Sequence, residues 1–246
     1  MFKNKIVLVT GGTRGIGRAT ALKFAKLGAK VVAVFASNQS KADSLIDEIN
    51  AFGGEIKVIK ADISIESELD KIVNLTLDLY GKIDILINNA GIVFDREFEE
   101  IKYDESLKIL KTNMLAPLFL SQKIAPIMID KSQKGVIINV SSTSGMYDFN
   151  PGTADYAMSK IALQSLTKDL SLKYSPKIRV NAVAPGWVNT DMNADLPKDF
   201  VESETSKYHL KRWAEPDEIA DSIIYLASEN ASYVTGQVLV LDGGHC

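Results

Sequence analysis

The amino-acid sequence predicts a single-domain α/β fold, a doubly wound parallel β-sheet with helices on both faces. Short runs of β-branched and other apolar residues alternate with longer amphipathic stretches along the chain, which is the pattern of repeated strand–helix units. Several runs are apolar at nearly every position, as strands must be when helices cover both sides of the sheet. No linker, repeat or low-complexity tract divides the 246 residues, a length that α/β folds often build as one domain.

The individual elements follow from these patterns in chain order. Seven strands are predicted, at Ile6–Val9, Val31–Val34, Ile56–Ile59, Ile83–Ile87, Val136–Val140, Ile178–Val183 and Val238–Leu241. Three helices between the first four strands each end at a glycine, which readily adopts the left-handed conformation that closes a helix. They are Arg18–Leu27 before Gly28, Lys41–Phe52 before Gly53 and Glu66–Tyr80 before Gly81. Longer, partly apolar helices are predicted around Tyr103–Ile129 and Thr153–Tyr174.

The segment 187–213 has no clear periodicity. In an open α/β fold, a loop of this length beyond the carboxyl end of a strand is typical of a substrate lid. A surface insertion without function is the alternative interpretation.

Composition narrows the class of partner. The formal net charge is −3 and the charges are spread along the chain, so a nucleic acid is not an expected partner. The single cysteine, Cys246, excludes a disulfide within the chain and favours a reducing, cytoplasmic location. No apolar stretch approaches the roughly 20 residues that a membrane span needs, and the run Ile6–Val9 is too short for a signal-peptide core. We therefore expect no membrane association.

A glycine-rich turn follows the first predicted strand and precedes the first helix. Its spacing is Gly-x-x-x-Gly-x-Gly, which differs from the commonest dinucleotide fingerprint, Gly-x-Gly-x-x-Gly. The physical logic is shared, because glycines let the backbone approach a pyrophosphate while the following helix presents free N–H groups. The sequence thus predicts a Rossmann-like cofactor site that includes Gly11, Thr13, Arg14, Gly15, Ile16 and Gly17.

The end of the second strand bears on cofactor choice. NAD-binding sites usually place an acidic residue there for the ribose 2′-hydroxyl, but this chain has Phe35 and no acid before Asp43. Arg14 can pair with a 2′-phosphate, helped by Ser37 and Asn38, which favours NADP(H). The alternative is that Arg14 is a solvated loop residue.

After the third strand, Asp62 and Ile63 are candidates to contact the adenine. A carboxylate at Asp62 can accept a hydrogen bond from the adenine amino group. A structural role is equally open, in which Ser64 or Asp62 itself caps the next helix.

Tyr156 and Lys160 are the candidate catalytic pair. They are four residues apart on a predicted helix, so their side chains share one face. A nearby ammonium, and the positive nicotinamide of an oxidised cofactor, favour the phenolate, and we expect them to lower the pKa of Tyr156, which suits a general acid or base. The alternative is an ordinary tyrosine–lysine pair on a solvated helix.

Asn113 is singled out by Pro117, four residues later in the same predicted helix. Proline has no N–H to donate to the carbonyl of the fourth preceding residue, so the carbonyl of Asn113 is left free and the helix is expected to bend.

These motifs, with Asn88-Asn89-Ala90-Gly91 and Tyr156-Ala-Met-Ser-Lys160, resemble the short-chain dehydrogenase/reductase superfamily over essentially the whole chain, from Ile6 to Gly244. The nearest likeness within it is to β-ketoacyl-acyl-carrier-protein reductases. That likeness rests on Val183-Ala184-Pro185-Gly186, on Asn189-Thr190-Asp191-Met192 and on the ending Ser232-Tyr233-Val234-Thr235-Gly236-Gln237.

The resemblance implies further roles. The catalytic serine stands three residues after the asparagine of the fifth strand and three before a glycine, so Asn139 and Gly145 select Ser142. The gap from Ser142 to Tyr156 is fourteen residues rather than the usual thirteen, which leaves Thr143 open. The backbone of Asn113 is implied to hold a water in a proton relay through Lys160. Implied cofactor contacts are Asn89, Ala90, Gly91, Tyr156, Lys160, Pro185, Gly186, Val188 and Thr190.

The expected function is therefore NADP(H)-dependent hydride transfer between nicotinamide and a ketone or secondary alcohol. The leading substrate is a 3-oxoacyl thioester on acyl carrier protein, with a free small ketone, sugar or polyol as the alternative. Family members usually dock the carrier with two arginines, where this chain has Gln133 and Lys177, with Lys131 and Lys134 nearby. A non-catalytic dinucleotide-sensing regulator is a third possibility, although such a protein would be expected to lack Tyr156 or Lys160.

Three further expectations complete the sequence analysis. Trp187, Tyr147, Phe149 and Met192 are candidates to line the substrate pocket. No metal is expected, because His209 and His245 have no metal-ligand spacing with another candidate ligand. The resemblance implies a homotetramer, assembled through the two long helices.

Overall fold

The computed structural model describes residues 1–132 and 134–245 and contains one seven-stranded sheet. Its order is β3-β2-β1-β4-β5-β6-β7, and every neighbouring pair is parallel. The strands are β1 (Ile6–Thr10), β2 (Lys30–Phe35), β3 (Glu55–Lys60), β4 (Ile85–Asn88), β5 (Gly135–Val140), β6 (Ile178–Pro185) and β7 (Val238–Leu241). The seven predicted strands and the doubly wound architecture are confirmed.

The described residues also form eight α-helices. They are α1 (Gly15–Lys26), α2 (Gln39–Ala51), α3 (Glu66–Tyr80), α4 (Tyr103–Leu110), α5 (Ala116–Ile127), α6 (Ala154–Tyr174), α7 (Lys198–Ser206) and α8 (Pro216–Ala227). The glycines predicted to end the first three helices all have positive φ, namely 88° at Gly28, 75° at Gly53 and 72° at Gly81. These glycine stops are confirmed, because that backbone conformation is costly for other residues.

The long helix predicted around Tyr103–Ile129 is interrupted near Asn113. A π turn, Lys111–Leu115, joins α4 to α5, and the N–H of Ala116 donates to the carbonyl of Lys111, five residues back. A second π turn, Met128–Ser132, follows α5. The expected disruption ahead of Pro117 thus takes the form of a widened turn, a feature often found at functional sites.

The segment 187–213 is less irregular than the sequence predicts, because α7 lies within it. This helix carries few apolar residues and none of its side chains is fully buried. Only two of its nine residues, Phe200 and Val201, are apolar, so the sequence offers few positions from which a helical period can be recognised.

Both faces of the sheet are covered. Phe24 of α1, Ile49 of α2 and Ile223 of α8 belong to one apolar core, and α3, α5 and α6 contribute to the other. Since β2 and β3 lie on one side of β1 and the remaining strands lie on the other, the order reverses between β1 and β4. Ligands bind at the carboxyl ends of the strands at such a reversal. No described helix is both long and apolar enough to cross a lipid bilayer.

Candidate active site

A cavity of about 820 Å³ opens at the carboxyl ends of the central strands. Nearly all the site residues predicted from sequence line it: Gly11, Thr13, Arg14, Gly15, Ile16, Ser37, Asn38, Asp62, Ile63, Asn89, Ala90, Gly91, Ser142, Tyr156, Lys160, Pro185, Gly186, Val188 and Thr190. Gly17 and Asn113 are buried and stand behind the cavity wall. The structure therefore brings the predicted cofactor and catalytic residues to one crevice.

The glycine turn has the shape that a pyrophosphate requires. Gly11 and Gly15 have φ values of 62° and 50°. A Cβ at Gly17 would lie 2.1 Å from the carbonyl oxygen of Gly11, so a side chain there would push the turn apart. Helix α1 begins at Gly15, and its N-cap, Arg14, makes no side-chain cap. The first-turn N–H groups therefore have no side-chain acceptor there, and the residues fit a dinucleotide phosphate.

At the far end of the turn, Arg14 is exposed on the cavity rim. No carboxylate pairs with its guanidinium in the part of the chain that the structure describes. Asn38 is the N-cap of α2, and its Oδ1 accepts a hydrogen bond from the N–H of Lys41 at 3.0 Å. Arg14 and Ser37 are thus the better placed groups for a 2′-phosphate.

Asp62 forms a turn of its own. Its Oδ1 accepts from the N–H and the hydroxyl of Ser64, at 2.9 and 2.7 Å. Helix α3 begins at Glu66 after Ile65, without a side-chain cap. The alternative in which Ser64 or Asp62 caps this helix is therefore wrong, and Asp62 and Ile63 remain on the cavity wall.

Asn89 fastens the end of β4 to the glycine turn. Its Nδ2 donates to the carbonyls of Thr10 and Gly11, at 2.8 and 3.1 Å. The N–H groups of Asn89 and Ala90 both donate to Thr10 Oγ1. The Asn89 side chain therefore supports the cofactor loop from behind.

Tyr156 and Lys160 both face the cavity from the first turns of α6. Lys160 Nζ lies 5.6 Å from the centroid of the Tyr156 ring and donates to the carbonyl of Val140 at 2.8 Å. The lysine side chain is nearly enclosed, and burial lowers its pKa to about 8.

The expectation that Lys160 lowers the pKa of Tyr156 is wrong. Burial raises the pKa of the phenol, a hydrogen bond with Ser142 opposes the rise, and the negative charge of Asp148 adds to it. The Lys160 ammonium donates its hydrogen bond to the carbonyl of Val140. A neutral, protonated tyrosine is the result.

Of the hydroxyls in this segment, that of Ser142 acts on the pKa of Tyr156, which it lowers against the effect of burial. Its Oγ also accepts from the N–H of Ser144 at 3.1 Å. Thr143 lines the same cavity, and its N–H donates to the carbonyl of Pro185 at 3.0 Å. This effect on the phenol favours Ser142 over Thr143 as the partner of Tyr156.

Asn113 is fully buried beside this group. Its Oδ1 accepts from the N–H of Ile92 and its Nδ2 donates to the Ile92 carbonyl, both at 2.9 Å. Nδ2 also reaches Ser159 Oγ at 3.1 Å. The side chain therefore ties the loop after β4 to α6, close to Gly91, where a Cβ would lie 3.2 Å from Lys160 Nζ.

The outer wall of the cavity is aromatic. Trp187 lines it, stacks on Trp213 at 5.1 Å between ring centroids and meets Phe200 edge-on at 5.6 Å. Met192 and Phe200 line the cavity too, whereas Tyr147 and Phe149 do not. Tyr147 donates to Asp242 and stacks on His245, and Phe149 is 74% exposed. The sequence expectation is wrong for those two residues, and it missed Phe200 because α7 was not predicted.

Sequence analysis also missed a buried ion pair next to the catalytic tyrosine. Arg96 Nη2 lies 2.6 Å from Asp155 Oδ2, which also accepts from the hydroxyl of Ser106 at 2.7 Å. Asp155 Oδ1 accepts from the N–H of Tyr156 at 2.9 Å. Burial would raise the pKa of Asp155, but these hydrogen bonds hold the pKa below its ordinary value. Asp155 is thus a buried carboxylate at the start of α6.

The proposed carrier-docking cations lie outside this cavity. Lys131 pairs with Asp130 at 3.0 Å, while Lys134 and Lys177 are exposed. Gln133 and Cys246 lie outside the described residues. In the described ranges, no group of three or more His, Cys, Asp or Glu side chains is arranged to hold a metal ion.

Comparison with known proteins matches nearly the whole chain. A family model described as enoyl-(acyl carrier protein) reductase matches residues 11–245. The chain is 38% identical over 243 residues to a 3-oxoacyl-[acyl-carrier-protein] reductase of Thermotoga maritima, covering 98% of both chains. It is also 38% identical over 246 residues to a 3alpha-hydroxysteroid dehydrogenase of Mediterraneibacter gnavus, covering 99% of this chain and 97% of the relative.

A solved structure has the same fold. The short-chain dehydrogenase/reductase from Serratia marcescens superposes with a TM-score of 0.93 at 35% identity, over 99% of this chain and 98% of the other.

Proposed function

This chain belongs to the short-chain dehydrogenase/reductase family of nicotinamide-dependent oxidoreductases, and on that premise we propose that it is an NADP(H)-dependent reductase of 3-oxoacyl thioesters carried by an acyl carrier protein. The observation that carries the proposal is the meeting of Ser142, Tyr156 and Lys160 at one end of a cavity whose other end is a phosphate-shaped glycine turn. The aromatic outer wall offers an apolar surface to an acyl chain. The relative from Thermotoga maritima bears the corresponding name.

The residues have distinct roles in this reduction. NADPH, held by the glycine turn and Arg14, would supply the hydride for reduction of the ketone carbon. The hydroxyls of Ser142 and Tyr156 donate hydrogen bonds to the carbonyl oxygen as negative charge develops there, and Tyr156 gives up its proton. The raised pKa keeps the phenol protonated before the reaction. Lys160 and a water held at the backbone of Asn113 restore the proton.

A reductase or dehydrogenase of free carbonyl compounds is the second candidate function. The name of the Mediterraneibacter gnavus relative, which is as similar as the Thermotoga maritima one, describes a steroid dehydrogenase. Asp148, a half-buried carboxylate, also lines the cavity. In the carrier-docking region, this chain has Lys177 where family members usually have an arginine.

Initial rates of NADPH oxidation distinguish the two candidates. We expect acetoacetyl-acyl carrier protein to have a kcat/KM at least about tenfold above that of free ketones, sugars and hydroxysteroid-type ketones, because binding energy from the carrier and the acyl chain adds to that from the ketone. A free carbonyl with the higher kcat/KM would overturn the thioester assignment. Tight NADPH binding without turnover of any carbonyl would instead indicate a dinucleotide-sensing regulator.

Arg14→Ala tests the choice of cofactor. Hydrogen bonds to charged groups contribute roughly 1.5–3 kcal/mol, so we expect the KM for NADPH to rise about 10- to 100-fold while that for NADH changes little. Arg18→Ala is the matched control, because Arg18 stands one turn further along α1 and pairs with Glu48 away from the cavity, at 2.7 Å. Unchanged KM values for both cofactors in Arg14→Ala would show that Arg14 is a solvated loop residue, and equal rises would place its contact on the part that NADPH and NADH share.

A further inference from the structure

Gln164 continues the catalytic face of α6. Tyr156, Lys160 and Gln164 are spaced four residues apart on this helix, so the three side chains lie one above another. The Nε2 group of Gln164 donates to Ser141 Oγ at 3.0 Å and to the carbonyl of Ser142 at 3.1 Å. Both donors of one amide therefore reach the segment that carries the catalytic serine.

The catalytic groups come from two different elements. Ser142 follows β5, whereas Tyr156 and Lys160 are on α6. Two further hydrogen bonds join these elements, from Lys160 Nζ to the carbonyl of Val140 and from Ser141 Oγ to the carbonyl of Lys160, both at 2.8 Å. Of these cross-links, the one from Gln164 is the contact made to Ser142 itself.

The peptide unit that joins Ser142 to Thr143 is held on both sides. The backbone before it is fixed to β6 by the hydrogen bond from the Ser141 N–H to the carbonyl of Val183 at 2.8 Å, and its own N–H, that of Thr143, donates to the carbonyl of Pro185 at 3.0 Å. The carbonyl of Ser142 points instead to Gln164 on the opposite side. Removing the amide would leave this carbonyl without its side-chain donor and would leave the peptide unit anchored on the β6 side alone, so that the serine side chain could shift.

We propose that Gln164 is a positioning residue for carbonyl reduction: it fixes the backbone of Ser142 so that the serine hydroxyl and the Tyr156 phenol converge on one substrate oxygen. The inference rests on the proposed function. It requires no contact between Gln164 and the substrate, and Gln164 does not line the cavity described above. Its effect therefore reaches the reaction through Ser142.

A double-mutant cycle with Ser142→Ala tests this role. Misplacing a reacting group can cost up to about 100-fold in rate, and we expect Gln164→Leu to lower kcat by about tenfold with an unchanged KM for NADPH. In the Ser142→Ala background, the same substitution should change kcat by less than about twofold, because the group that it positions is gone. A merely structural role would lower kcat by the same factor in both backgrounds.

Two further variants keep the test decisive. Gln164→Glu preserves the shape and removes the amide donors, so it should reproduce the loss of kcat even if the leucine variant folds poorly. Gln122→Leu, the same substitution at an exposed position on α5, should leave kcat unchanged. An unchanged kcat in both Gln164 variants, or equal losses with and without Ser142, would overturn the positioning role while the proposed function stands. A wild-type protein inactive on every carbonyl would overturn the proposed function and, with it, the role of Gln164.

Discussion

Tyr156→Phe is expected to lower kcat for carbonyl reduction by roughly 10²- to 10⁴-fold, the range that a general acid contributes. The substitution removes the proton donor and one of the two hydroxyls that stabilise the substrate oxygen. NADPH affinity, measured by fluorescence titration, should change little because the glycine turn and Arg14 lie at the other end of the cavity.

Tyr174→Phe provides the matched control. Tyr174 stands at the last turn of the same helix and does not line the cavity, so loss of its hydroxyl should leave kcat within about twofold of wild type, as for most surface changes. If Tyr156→Phe reduced carbonyls at the wild-type rate, the assignment of the proton donor would be wrong.

The parts of the fold that follow from local chemistry could be predicted from the sequence. Runs such as Val31–Val34 are apolar throughout because both faces of their strand are covered, and they appear as buried strands. Gly28, Gly53 and Gly81 end helices because each adopts a positive φ. Such signals are contained within a few neighbouring residues.

The properties that depend on surroundings could not be predicted in the same way. The sequence places Lys160 one turn from Tyr156, but the direction of the phenol pKa depends on burial, on Ser142 and on Asp148. The contact between Arg96 and Asp155 could not be predicted either, because the two residues are 59 positions apart in the sequence and no local pattern connects them. Gln164 is four residues beyond Lys160, yet its importance appears only when Ser141 and Ser142 are placed against it.

Arg96→Met is expected to destabilise the protein by about 3–5 kcal/mol, because it leaves the Asp155 carboxylate buried without its cation. Asp155 is 2% exposed and the side chain of Arg96 is 9% exposed. In a chain of this size the loss corresponds to a fall in melting temperature of about 10 °C. Arg212→Met, which breaks an ion pair exposed on both sides, should cause a much smaller fall.

The stability lost in Arg96→Met should depend on pH, in a direction set by the lowered pKa of Asp155. Since the pKa of Asp155 is below its ordinary value in the folded protein, the pair stabilises the wild type above the unfolded pKa, about 4. This stabilisation is lost as the pH falls through the folded pKa. In Arg96→Met the buried carboxyl no longer has its cation and should take up a proton at a higher pH, which relieves the uncompensated charge. The difference in melting temperature between wild type and variant should therefore narrow as the pH falls from 7 towards 4.

The double variant Arg96→Met/Asp155→Asn separates the charge effect from simple loss of packing. Asparagine preserves the shape of the side chain and an oxygen for the N–H of Tyr156, while neither partner retains its charge. We therefore expect it to regain most of the stability lost in Arg96→Met, since replacing both partners of a buried ion pair costs far less than removing one. If the double variant melted as low as Arg96→Met at pH 7, packing of the Arg96 side chain or its ion pair with Glu105, at 3.4 Å, rather than neutralisation of Asp155 would hold the start of α6 in place.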